Sequence, residues 1–263
     1  MAQKLFYLNS YSMYLDMLWE QSLSSNHSFI DHDNYDIPTS SEEAASHWFA
    51  FGIMAKDFTR ELINAINIFG LYMNHLKRWC DILSNCNDSK ERDALLVEFV
   101  DPIAFICLNK PYSIKGQFIY ATTHLLHLSN SRKSSCWKDQ LVADGRHINY
   151  EILKKVGKGW ENFTPFSQAL SAINNEEFRN NTFDFRNKSH HAIPPELEFG
   201  ITSPVRRTET KDGKVSYGIG GIAPLRIKDA FEHLQLQQQA CVNTFNHYWK
   251  LLEEQLELWR GLK

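Results

Sequence analysis

Eleven apolar residues at alternating steps of three and four constrain this chain more than anything else in it. Trp48, Phe51, Ala55, Phe58, Leu62, Ala65, Phe69, Tyr72, Leu76, Trp79 and Leu83 keep that rhythm without a slip. It is the seam of an amphipathic α-helix packed in a bundle, and no strand fits it. Ser40 and Glu43 have the spacing of a capping box at its start. So long a helix exceeds the usual globular core, so a bend or break near Gly70 is expected.

The rest of the chain reads mainly as further helices. One spans about 89–108, kinked or ended at Pro102, and Pro111 restarts the chain with the stripe Ile114, Phe118, Ala121, Leu125 and Leu128. A surface loop covers 129–147, and a short helix follows at 150–157. Thr164-Pro165 resembles an N-cap with proline at the first helical position, opening a helix through Ile173. Another is expected over 176–192, stopped by Pro194. The last opens at Pro224, with a stripe from Phe231 to Trp259 that includes Gln238 and Gln255, which predicts a solvated end or a polar contact.

One segment departs from helical spacing. Asp212-Gly213 sits between short runs rich in Thr, Val and Tyr, a type I′ hairpin signal. Gly218, Gly220 and Gly221 then read as a flexible connection. The expected fold class is all-α: an antiparallel helical bundle with a small inserted β-hairpin near 203–219. We expect one domain over 1–263, with an N-terminal extension (1–38), a helical core (40–192 and 224–261) and a hairpin insertion (200–222).

Composition limits function. Hydrophobic content of 43% suffices for a core, which excludes wholesale disorder. A net charge of −3 argues against a general nucleic-acid coat, so any RNA contact must be local. From Arg179 to Lys214 seven Lys/Arg stand against five Asp/Glu, a net of +2 that leaves −5 for the remainder. The five cysteines (Cys80, Cys86, Cys107, Cys136, Cys241) include no C-x-x-C pair, which fits reduced thiols. With no hydrophobic leader block and no membrane-length apolar run, the expectation is a soluble, cytoplasmic protein. His124 with His127, and Asp31-His32-Asp33, lack the partners of a metal site.

The chemistry concentrates in Phe185-Arg186-Asn187-Lys188-Ser189-His190-His191. Arginine binds phosphate in bidentate fashion, and histidine moves protons near neutral pH. With 11 Arg and 11 His in 263 residues, Arg-x4-His arises by chance about half a time per chain. Requiring one of the 19 Asn after the Arg lowers that to about 0.03. A second Arg-x6-His, Arg226 to His233, reads as the polar flank of a helix.

Arg186-Asn187-x3-His191 resembles the Arg-x4–6-His signature of HEPN domains, in which a polar residue often follows the arginine. The resemblance covers these six residues, with helical character and length beyond them. It implies a HEPN-like bundle and a metal-independent endoribonuclease of toxin or phage-defence type, with no cofactor and no metal. Arg186 and His191 would be its catalytic pair, Asn187 would orient the arginine, and His190 is an additional imidazole. The implied partners are RNA, a second copy completing the site and, in a toxin pair, an antitoxin protein. Arg206, Arg207 and Lys188 are further candidates for RNA contact. On an unbroken helix Arg186 and His190 share a face, whereas His191 lies about 140° round, so both histidines stay open. The alternatives are a non-catalytic helical nucleotide-binding or protein-interaction scaffold, and cations that merely cap a helix C-terminus.

Overall fold

The computed structural model describes residues 2–23, 29–35, 37, 46–139, 141, 147–209 and 212–261. They are mostly helical, with one small two-stranded antiparallel sheet. The chain divides into two compact units. The first comprises Met1–Ser28, Leu71–Lys110 and Asn175–Leu236; the second comprises Phe29–Gly70, Pro111–Asn174 and Gln237–Lys263.

Helix α1 spans Ala2–Leu23 and α2 spans Ser46–Ser84. The stripe of α2 is its buried side: Phe51, Ala55, Leu62, Ala65, Phe69, Leu76, Trp79 and Leu83 are all in the core. Ser40, Glu43 and the side chain of Trp48 lie outside the described residues. Helix α2 runs through Gly70 without the expected break. Gly70 serves packing instead, because the Gln238 side-chain amide occupies the space a Cβ would need.

Helix α3 (Ser89–Leu95) passes through a π turn (Leu96–Val100) straight into α4 (Asp101–Lys133). Asp88 caps α3 by accepting the Lys90 and Glu91 N–H groups, each at 2.9 Å. The helix neither ends at Pro102 nor restarts at Pro111: α4 runs from Asp101 through both prolines to Lys133. A proline collides with the carbonyl four residues earlier, and for Pro102 that carbonyl belongs to Glu98, inside the wider π turn. Pro111 sits within α4 and forfeits one helical bond, and burial of Cys107, Leu108, Ile114 and Phe118 around it holds the helix together.

The first unit includes α1, which lies within the segment expected as an N-terminal extension. Tyr14 of α1 stacks on Trp79 (4.8 Å, 11°), and Trp79 stacks on Phe99 (4.1 Å, 7°). The Tyr14 hydroxyl and the His75 ring share a hydrogen bond. This unit also holds α7 (Glu176–Asn181), α8 (Phe185–His191) and the hairpin of β1 (Val205–Glu209) and β2 (Val215–Ile219).

The hairpin exists as expected, but its register does not follow the turn signal. A two-residue Asp212-Gly213 turn would set Lys211 opposite Lys214; instead Glu209 faces Val215 and Val205 faces Ile219. That is a slip of one residue, which changes the face of every side chain on one strand. Gly213 supplies the left-handed residue such a loop needs, with φ 73. The glycine run is no flexible connection: Gly220 donates to the Pro204 carbonyl, and Thr202 pairs with Ile222.

In the second unit α5 (Tyr150–Gly157), α6 (Phe163–Ala172) and the later turns of α9 (Ile227–Trp259) close a core around Phe118, Phe166, Phe245 and Tyr248. The Tyr248 and Thr59 hydroxyls bond at 3.1 Å inside it. Of the two expected outcomes for the glutamines on α9, Gln255 takes the polar contact. It is buried, and its Oε1 accepts from Ser129 Oγ at 3.0 Å. Helix α6 starts at Phe163 with Asn162 before it, so Thr164 is not its cap. No side chain caps α6; the carboxylate of Glu254 holds the turn just before it, accepting the Glu161 and Asn162 N–H groups, each at 2.9 Å. Among the described residues no helix is long and apolar enough to cross a membrane.

Candidate functional site

The motif does not end one long helix over 176–192, as its spacing led us to expect. The chain breaks at Thr182–Asp184 and starts again. Asp184 N–H bonds the Arg179 carbonyl at 2.6 Å and Phe183 N–H bonds the Asn180 carbonyl at 3.1 Å, the paired bonds of a Schellman stop. Phe183 takes the left-handed position that glycine usually fills (φ 52), and Asp184 is left-handed as well (φ 53). Each costs about 1–2 kcal/mol. The core insertion of Phe178 and Phe185 on either side of the break, worth about 1.5–3 kcal/mol each, offsets that strain. Phe185 also meets Phe105 edge to face at 6.0 Å.

With Phe185 turned inward, α8 presents Asn187, His190 and His191 toward solvent. Arg186, Lys188 and Ser189 are half-buried; Asn187, His190 and His191 are exposed. Arg186 Nη1 donates to Asn187 Oδ1 at 3.3 Å, and Asn187 Nδ2 donates to Asp184 Oδ2 at 3.2 Å. The amide therefore steers the guanidinium and is itself tethered by a carboxylate. The pattern reading missed Asp184, although its place two residues before Arg186 was the available signal. Ser189 Oγ returns to the Arg186 carbonyl at 2.8 Å. Helix α8 is continuous through His191, which puts His190 on the Arg186 face, Cβ atoms about 5–6 Å apart, and His191 on another. The His190 and His191 ring centroids are 6.3 Å apart.

The other candidates scatter. Arg206 and Arg207 lie on exposed β1, and Arg206 Nη2 is engaged with the Gly221 carbonyl at 3.0 Å, fastening the base of the hairpin. Arg226, of the second Arg-x6-His, pairs with Glu198 at 3.6 Å. His127 accepts from Trp137 Nε1 at 3.0 Å and faces Asp139 at 3.3 Å, an internal tie. Among the described residues no group of three or more His, Cys, Asp or Glu is arranged to hold a metal ion. Two clefts lie in the second unit, one of about 460 Å³ lined by Phe58, Leu62, Gly116 and Tyr120, the other of about 420 Å³ lined by Tyr35, Lys56 and Arg60. Compared with family models, curated proteins and solved structures, the chain gives no match in any of the three.

Among the described residues of the first unit, one carboxyl away from α8 is perturbed. Burial, with the Glu196 and then the Glu198 carboxylate nearby, pushes Asp101 up to about 6. Its Oδ1 is buried with no hydrogen-bond partner among the described residues. Burial, then Glu198 and Asp81, pushes the Cys80 thiol up to about 12, and burial raises Cys107, so neither is an activated nucleophile. Because the folded chain binds the Asp101 proton more tightly than the unfolded chain, the contribution of Asp101 to stability is greatest below pH 3.8, falls as pH rises toward 6, and is level above that. Asp101→Asn mimics the protonated acid. After discounting for solvent screening, it should stabilise the protein by about 1 kcal/mol at pH 7 and leave it unchanged near pH 4. Thermal melts of both proteins across that range check this, and parallel profiles would refute it.

Proposed function

We propose that the chain is a metal-independent endoribonuclease of HEPN type, with Arg186 and His191 as its reacting pair. One observation supports this above the others: an arginine steered by Asn187 and Asp184, with two exposed imidazoles on the same helix. Neutral His191 takes the proton of a ribose 2′-hydroxyl, the 2′-oxygen attacks the phosphorus, and the 5′-oxygen leaves with a proton from a second imidazole. Arg186 stabilises the charge that grows on the phosphoryl oxygens. The products are a 2′,3′-cyclic phosphate and a 5′-hydroxyl.

Because His191 and Arg186 point to different sides of α8, the reading places the two on opposite copies of a homodimer. His190 is the imidazole available to Arg186 within one copy. Lys188 and Arg207 would contact the RNA backbone, and toxin or phage-defence duty, with an antitoxin partner, belongs to this same reading. The rival is a non-catalytic binding scaffold in which the same residues contact a nucleotide or a partner. Incubating the purified chain with labelled RNA in EDTA separates them. Cleavage to cyclic-phosphate ends, lost in folded Arg186→Ala and His191→Ala, is the expected result; intact RNA at high protein concentration would leave the scaffold.

A further inference from the structure

A sheet of two strands is marginal in water, and the hydrogen-bond phase of this one identifies which backbone groups it leaves over. Gly220 N–H donates to the Pro204 carbonyl at 2.8 Å, and Thr202 and Ile222 exchange bonds at 3.1 and 2.8 Å. These share the register in which Val205 faces Ile219. The mutually bonded pairs are therefore Arg206 with Gly218 and Thr208 with Ser216. It follows that the N–H and C=O groups of Val215, Tyr217 and Ile219 point away from β1, along the outer edge of β2. Nothing among the described residues takes them. The same three side chains are 50%, 72% and 98% exposed.

Charge separates the two edges. The outward residues of β1 are Val205, Arg207 and Glu209, and charged side chains on an edge keep it from pairing. Were β1 to pair with its own copy about Arg207, two guanidinium groups would stand directly opposite. Strand β2 reads Val-Ser-Tyr-Gly-Ile, without a charge. It is also nearly palindromic about Tyr217. Paired with its own copy, it sets Val215 against Ile219, Ser216 against Gly218, and Tyr217 against itself. The two Arg207 side chains then lie three strand spacings apart, about 14 Å, beyond the Debye length of about 8 Å.

The geometry points to β2 pairing with β2 of a second copy, antiparallel about a two-fold axis at Tyr217, into a four-stranded sheet ordered β1-β2-β2-β1. The second copy is the occupant because it meets every position of this edge with a residue of like size and no charge. The pairing uses no residue of α8, and its failure is distinguishable from that of the nuclease reading. A dimer that persists in Tyr217→Lys would belong to the composite site and would overturn the pairing. A single-chain Tyr217→Lys that still cleaves RNA would leave the pairing intact and move the chemistry to Arg186 and His190 of one copy. Five residues a side make a small contact, below the roughly 1,600 Å² of a standard interface, so association is weak.

The test is sedimentation equilibrium of the full chain from about 1 to 100 μM, the range suited to an interface of that size. Wild type should move from single chain toward dimer across this range. Tyr217→Lys, which opposes two cations at the axis, should stay a single chain with an unchanged circular dichroism spectrum. An equimolar mixture of Tyr217→Lys and Tyr217→Glu, each monomeric alone, should regain the dimer. A wild type that is monomeric throughout, a dimer that survives Tyr217→Lys, or variants that fail to recombine would each overturn the pairing.

Discussion

Alanine at Arg186 is expected to slow RNA cleavage by about 10²–10³-fold, the usual loss when one donor to a transition-state oxyanion is removed. Folding should survive, because the side chain is half-buried on α8 while Phe185 does the anchoring. Asn187→Ala is expected to fall short of that loss, at about tenfold, since it frees the guanidinium to wander without deleting it. The histidines carry the sharper test. His191→Ala should cost about 10²–10⁴-fold as loss of a general base, and His190→Ala less than about tenfold. The reverse order would move the chemistry to the one-copy pair Arg186 and His190, which share a face of α8. Single-turnover rates with a fluorescent RNA distinguish the two orders, and a loss of less than tenfold in Arg186→Ala would end the nuclease reading.

What the sequence disclosed, and what it withheld, follows the range of each interaction. The stripe of α2 was legible because burial on a helix imposes a period, and eight of its residues do line the core. The hairpin was legible as an event because Asp212-Gly213 is a strong local signal. Its register was not, since the ladder continues outward through Gly220 and Thr202 and outweighs the preference of one turn. The break before α8 was hidden because Phe183 fills a position that glycine normally announces; strain there is offset by Phe178 and Phe185, whose burial no local pattern reveals. Prolines 102 and 111 misled as well. Their local cost is real, but the π turn before Pro102 accommodates it there, and packing around Pro111 overrides it. Within the motif, residue identity announced the chemistry, whereas the tether from Asp184 through Asn187 to Arg186 depended on a backbone conformation that only the fold supplies.

Glu254→Ala is expected to cost about 3 kcal/mol of stability. Its carboxylate is buried (8% exposed) on α9 yet holds the turn before α6, accepting the backbone N–H groups of Glu161 and Asn162 at 2.9 Å each and Asn162 Nδ2 at 3.1 Å. A negative charge at that end of α6 also meets the positive pole of the helix. Alanine removes all three bonds at once and leaves donors without acceptors, and hydrogen bonds to an ionised group are worth about 1.5–3 kcal/mol apiece. For a chain of this size the thermal midpoint should drop by roughly 6–12 °C. Glu254→Gln retains an acceptor oxygen but loses the charge, so it should fall between, at about 1–2 kcal/mol. Glu253→Ala, one residue away on the exposed side and bonded only to Trp249 among the described residues, removes the same charge and should cost less than about 0.5 kcal/mol. Should the two alanine variants melt together, the carboxylate of Glu254 would be an ordinary surface group and the turn before α6 would have to be held by something else.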